Sequence, residues 1–182
     1  MKAQQVKRLD PDAPFRENAE RMLRVRIAEV WTLGAQAVDP AEQDAQHDMR
    51  IAAKRLRYLL EITESCFGAP AKQGAKVARQ LQDLLGEIHD CDVMAPRVRG
   101  HVELLRAQDV QAAVDAAPDD AADLDPELMK AARNGSRYRG LEALAGYLEA
   151  RRRLLHREFV RRWIELQESG FRDELEDGLG TR

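Results

Sequence analysis

At 182 residues the chain is long enough for one domain with a real core, and its 44% hydrophobic and 34% charged residues describe a soluble, helix-rich protein. No apolar run approaches the ~18 residues that a membrane span needs, and the N-terminus lacks the apolar core of a signal sequence. The formal net charge of −3 argues against a general nucleic-acid binder, so any anion site is a local patch on a mildly acidic protein. Cys66 and Cys91 form no metal-like pair and sit in apolar helical positions, so reduced, buried thiols in a cytoplasmic protein are expected.

In chain order, residues 1–13 read as a flexible arm. Asp12 is a candidate cap and Pro14 suits a first turn, so a helix is predicted from there to about Gly34. Phe15, Ala19, Met22, Leu23, Val30 and Leu33 face inward, with Arg16 and Arg26 on or beside that face. Val38-Asp39-Pro40 breaks the chain. The next stretch, residues 47–67, has no Pro or Gly and is rich in Ala, Leu, Arg and Lys, so it reads as helix. Met49, Ala52, Ala53, Leu56, Leu59, Leu60 and Thr63 gather on one face, and His47, Arg50, Lys54 and Arg57 on the other. A helix face that is merely solvated mixes its signs, whereas these four rungs meet no acid until Glu61. The order of charges points to an anion.

Gly68-Ala69-Pro70 makes the following turn, and Gly74 is expected to delay the third helix, over residues 75–95. Val77, Leu81, Leu84, Leu85, Ile88 and Cys91 form its buried stripe. Asp92 lies on that stripe and needs a partner, for which Arg26 is the candidate, giving a structural ion pair. His89 and Asp90 point away from the stripe. Pro96 is expected to bend or end the helix, with a weaker amphipathic piece to about Arg106. Residues 107–135, rich in Ala and Asp, read as a long, acidic, partly disordered connection. A last helix resumes near Tyr138, with Leu141, Leu144, Leu148, Leu155, Phe159, Trp163 and Leu166 on one face. Six arginines crowd its second half, and Arg152 breaks into the apolar stripe. The acidic segment after Gly170 is expected to pack weakly. The fold class is therefore all-α: an antiparallel four-helix bundle of long helices, with a long acidic loop before the last, over residues 14–176 and with a tail at 177–182.

Chemistry narrows the function. There is no nucleophile in a base-bearing context and no Gly-rich phosphate loop. His89, Asp90 and Asp92 lie close in sequence, but His89 and Asp92 do not share a face and no i, i+4 histidine pair exists. A metal-dependent phosphohydrolase is therefore the weakest alternative. Phosphate recognition fits better: arginine offers a planar fork, lysine a point charge, histidine a donor whose charge follows pH. At 5% of the chain, aromatics are too scarce for base stacking, which disfavours single-stranded nucleic acid.

HDMRIAAKRLRYLLE followed by LQDLLGEIHDCDV resembles the paired signature of the CHAD family, the conserved histidine α-helical domain. Phe15-Arg16-Glu17-Asn18 and Arg24-Val25-Arg26 resemble the family's opening, and Arg152 with Phe159-x-x-x-Trp163 its close. The resemblance implies a module without catalytic activity or cofactor that binds inorganic polyphosphate in a basic, helix-lined groove, with cytoplasmic location at polyphosphate granules. It points to His47, Arg50, Lys54 and Arg57, and further to His89, Arg16 and Arg152. The family generally carries two such helical repeats and this chain shows one signature, so a homodimer is expected to complete the grip on the ligand. The alternative from another class is an interaction module whose arginine-rich faces dock an acidic partner or a second copy of the chain.

Overall fold

A computed structural model describes residues 3–7 and 9–180. Among the described residues every regular element is a helix: α1 (Phe15–Ala37), α2 (Gln43–Ile62), α3 (Glu64–Phe67), α4 (Ala69–Ala116), α5 (Pro126–Lys130), α6 (Gly135–Glu168) and α7 (Phe171–Leu179). The chain divides into two compact units, residues 1–89 with 153–182 and residues 90–152. Both α4 and α6 contribute to each.

In the first unit the expected faces assemble a core of Ala19, Leu23, Ile27, Val30, Met49, Ala52, Ala53, Leu56, Leu60, Leu81, Leu85, Ile88, Phe159 and Trp163. Phe15, expected inside, is 58% exposed. It occupies the first turn of α1, one turn before the buried stripe begins at Ala19. Pro14 itself is the N-cap, and the Asp12 amide donates to Asp10 Oδ1 at 3.0 Å, so Asp12 does not cap the helix. The arm before α1 is tied down. Gln4 N donates to the buried Glu29 Oε1 at 2.5 Å, and Arg26 Nη2 donates to Gln4 O at 2.8 Å. Residues 1, 2 and 8 of the expected arm, and 181–182 of the expected tail, lie outside the described residues.

α2 ends at Thr63, whose hydroxyl donates to Leu59 O at 2.7 Å and competes with helix continuation. Gly68, at φ 62°, then reverses the chain in a conformation that favours glycine. α4 starts at Ala69, ahead of the expected residue 75, because Gly74 lies inside it. A Cβ at Gly74 would press on Leu175 Cδ1 at 2.8 Å and Leu60 Cδ1 at 3.1 Å. The residue serves close packing here rather than a delayed start.

The C-terminal segment packs firmly, contrary to expectation. Phe171, Leu175 and Leu179 of α7 are all buried, at i, i+4 and i+8. Phe171 stacks on Trp31 at 6.4 Å between ring centroids. The acidic composition of this segment hid a short amphipathic helix.

The second unit carries α4 through Pro96 to Ala116. A proline inside a helix removes one backbone bond and costs about 3 kcal/mol. Cys91, Ala95, Val98, Val102 and Leu105 nonetheless keep one buried stripe in register on both sides of it. Residues 107–116 are therefore helix, and the connection is shorter than expected and fastened at both ends. Asp109, buried, accepts from Asn134 N at 3.2 Å, from Asn134 Nδ2 at 2.8 Å and from the Tyr138 hydroxyl. Burial and that bond to Asp109 push the Tyr138 hydroxyl up to about 12. α5 lies within the connection, with Asp125 accepting from Glu127 N at its start. Leu144, expected to face inward, is 42% exposed.

Candidate anion-binding site

The basic row of α2 survives folding because the same residues fix the opposite face. Met49, Ala52, Ala53, Leu56 and Leu60 are buried, which turns His47, Arg50, Lys54 and Arg57 to the other side. From His47 to Arg57 the row spans ten residues, about 15 Å of helix. α4 runs antiparallel beside it: His89 meets His47 with ring centroids 4.7 Å apart, and Gly74 faces Leu60. The stem of Arg50 crosses α4 at Gly86, where an added Cβ would stand 3.9 Å from Arg50 Cδ. That distance is ordinary contact, so glycine is not sterically required at this signature position.

Three nitrogens of the row share an unusual condition. His47 Nδ1, Arg50 Nε and Arg57 Nε are buried and make no hydrogen bond to any described residue. A buried donor without a partner costs about 1–3 kcal/mol, and native structures keep few of them. Gln82 Oε1 is buried and unbonded as well, three residues from Arg79 and seven from His89 on α4. An amide can turn to present its NH₂. Burial lowers the His47 pKa from 6.5; the neighbouring His89 and Arg50 act in the same direction, and Asp48 opposes them. The shift favours the neutral imidazole, and negative charge brought beside it would act the other way. Lys54 is exposed, its Nζ 5.8 Å from the centre of the Tyr58 ring, and the Arg57 guanidinium lies 4.5 Å from the same ring.

Other residues named from sequence stand elsewhere. Arg16 donates to the Cys66 carbonyl and lies 4.7 Å over the Phe67 ring, which makes it a clasp between α1 and α3. Cys66 lies on α3, past the end of α2 and nine positions beyond Arg57, so Arg16 is held off α2 rather than beside His47 and Arg50. Arg152 Nε donates to Asp92 at 2.5 Å in the second unit, both side chains 14% exposed. The expected Arg26–Asp92 pair is thus replaced on both sides: Asp92 takes Arg152, and Arg26 donates to Glu29 at 2.5 Å. The need of Asp92 for a buried arginine was sound, but local chemistry on α1 supplies Arg26 with a nearer acid. Sequence reasoning missed Gln82 and Arg79, although their spacing from His89 places them on its face.

Of the six arginines in the second half of α6, Arg161 and Arg162 are neutralised within the helix. Arg161 donates to Glu158 and, at 2.5 Å, to Glu165, and Arg162 donates to Glu158 at 2.9 Å. Hydrogen bonds from Arg161 and then Arg162 hold the Glu158 carboxyl below its usual range. Among the described residues no three His, Cys, Asp or Glu side chains gather as a metal-binding group. No described helix is long and apolar enough to cross a membrane.

Residues 2–99, more than half the chain, match the family model of the CHAD domain. The chain belongs to the CHAD family. The matched span contains α1, α2, α3 and the part of α4 that carries His89, Gln82 and Arg79, so the CHAD match covers the whole basic row and its facing helix. No curated protein and no solved structure matches the chain.

Proposed function

We propose that this CHAD protein binds inorganic polyphosphate, or a similar linear phosphate-rich anion, without catalysing its turnover. The observation that carries the proposal is the pair of buried, unbonded arginine donors at Arg50 and Arg57, with the buried, unbonded Nδ1 of His47 on the same face of α2 and His89 and Gln82 presented by α4. A ligand with many oxygens and one negative charge per link meets those donors better than a compact anion does. Lys54 adds an exposed point charge beside them. Family membership supports the reading, with the four long helical segments taken as one antiparallel bundle. The same reading places the protein in the cytoplasm, at polyphosphate granules.

The interaction-module alternative has one observation in its favour. Leu104, Val110, Val114 and Tyr147 of the second unit are each at least 50% exposed, and a second copy of the chain is the partner that would cover them. Polyphosphate weighs more because unbonded buried donors ask for acceptors, which an apolar surface lacks.

A pH series tests the proposal. Without ligand, the His47 pKa lies below its unfolded value of 6.5, so stability from this group is full above pH 6.5 and is lost as pH falls through the folded pKa. A bound polyanion reverses the disfavour, so binding should take up protons. Affinity is expected to strengthen as pH falls from about 7.5 to about 5.5, while the melting temperature of the ligand-free protein declines. Calorimetric titration in two buffers of different ionisation enthalpy measures the proton uptake. Affinity independent of pH, with no proton uptake, would place the ligand away from His47.

A further inference from the structure

The basic row of α2 ends in an acid. Glu61 is the first carboxylate on that face, one turn beyond Arg57. Its Oε1 accepts from Arg79 Nη2 at 3.1 Å and stands 3.8 Å from Arg57 Nε. The second distance is an ion pair without a hydrogen bond, and Arg57 Nε accordingly remains unbonded. One carboxylate oxygen is thus placed between two guanidinium groups from different helices. Beyond it lies an open cavity of about 780 Å³, lined by Glu61, Glu64, Lys72, Lys76 and Arg79 among others.

Building on the polyphosphate reading, we propose that Glu61 is a built-in competitor anion that closes this end of the groove and limits how much of a chain the groove takes. A carboxylate and a phosphate ask the same thing of arginine: a planar fork of donors and a positive charge. Seated between Arg57 and Arg79, Glu61 holds both cations. A polyanion lying along His47, Arg50 and Lys54 reaches Arg57 and meets a like charge there. To continue toward Lys76 and Lys72 it must displace the carboxylate, and Glu64 repels it again. Short chains end before this point and are indifferent to Glu61, whereas long chains are not. Glu61 therefore sets a preference for chain length rather than raw affinity, as a repulsive element does in other selective sites.

Glu61→Gln keeps the size of the side chain and one oxygen that can accept from Arg79, and removes its charge. Glu61 is 36% exposed and the change buries nothing new, so the fold should be retained. Titrations with tripolyphosphate and with long-chain polyphosphate are made on wild type, Glu61→Gln, and Glu61→Gln/Arg79→Ala. The single variant is expected to bind the long chain about two- to fivefold more tightly, the range for one exposed charge pair, and tripolyphosphate as wild type does. The double variant should lose that gain. Long-chain binding by Glu61→Gln equal to or weaker than wild type overturns the assignment of Glu61. A gain that persists in the double variant overturns the role given to Arg79. Wild-type protein that binds neither chain overturns the functional reading itself, an outcome distinct from both.

Discussion

The Arg50→Ala/Lys54→Ala double variant is expected to bind polyphosphate about 10²- to 10³-fold more weakly than wild type while keeping its helicity and melting temperature. The two residues contribute unequally. Arg50 is half-buried, its Nε is buried and unbonded, and a phosphate oxygen reaching it makes a charge-assisted bond of about 1.5–3 kcal/mol. Lys54 is exposed and screened by salt, and is assigned about 1 kcal/mol. Both lie on the face opposite the buried stripe of Met49, Ala52, Ala53, Leu56 and Leu60, so the fold should hold. Removing the Arg50 guanidinium takes an unmet donor out of the protein and breaks no hydrogen bond at its Nε, so no loss of stability follows from that atom. Calorimetric titration alongside thermal melts checks both halves. Undiminished binding in a folded double variant would move the ligand off α2.

Trp163→Ala is expected to destabilise the first unit by about 3–5 kcal/mol, the largest single effect on stability foreseen here. Trp163 is 1% exposed and packs on Trp31 with ring centroids 5.4 Å apart. Its indole also fills the space that a side chain at Gly34 would need, since a Cβ there would overlap the six-membered ring. Gly34→Ala alone should therefore cost about 1–3 kcal/mol through overpacking between α1 and α6. The two changes should not add. With the indole gone the new methyl occupies part of the cavity, so the double variant is expected to be no less stable than Trp163→Ala. Urea denaturation of the four proteins gives the cycle. Additive losses would show that Gly34 and Trp163 do not share one space.

What could be read from sequence was whatever a single helix decides. The two faces of α2 follow from spacing within twenty residues, and both stand in the structure. The stripe through Leu81, Leu85, Ile88 and Cys91 is legible for the same reason. Partner choice was not legible. Asp92 meets Arg152, sixty residues away, and nothing local distinguishes that arginine from Arg26 or from its neighbours on α6. Arg16 looked like a ligand residue because its charge is visible in sequence while its bond to the Cys66 carbonyl is not. The course of α4 through Pro96 was missed because a local penalty was weighed without the buried stripe that outlasts it. α7 was missed because its five acidic and basic side chains drew attention from Phe171, Leu175 and Leu179. Gln82 and Arg79 could have been found by stepping back from His89 in threes and fours.

The most direct test of the binding site uses the four histidines as reporters. His47 and His89 face each other within the proposed groove, with ring centroids 4.7 Å apart. His101 is exposed in the second unit, and His156 is buried with its Nε2 3.3 Å from Ala37 O. Imidazole NMR spectra are recorded while polyphosphate is added to saturation. The ring signals of His47 and His89 should shift together, with His47 moving toward its protonated form, while those of His101 and His156 stay fixed. Saturable binding that leaves His47 and His89 unmoved, or that moves His101 instead, would contradict the placement of the anion on α2.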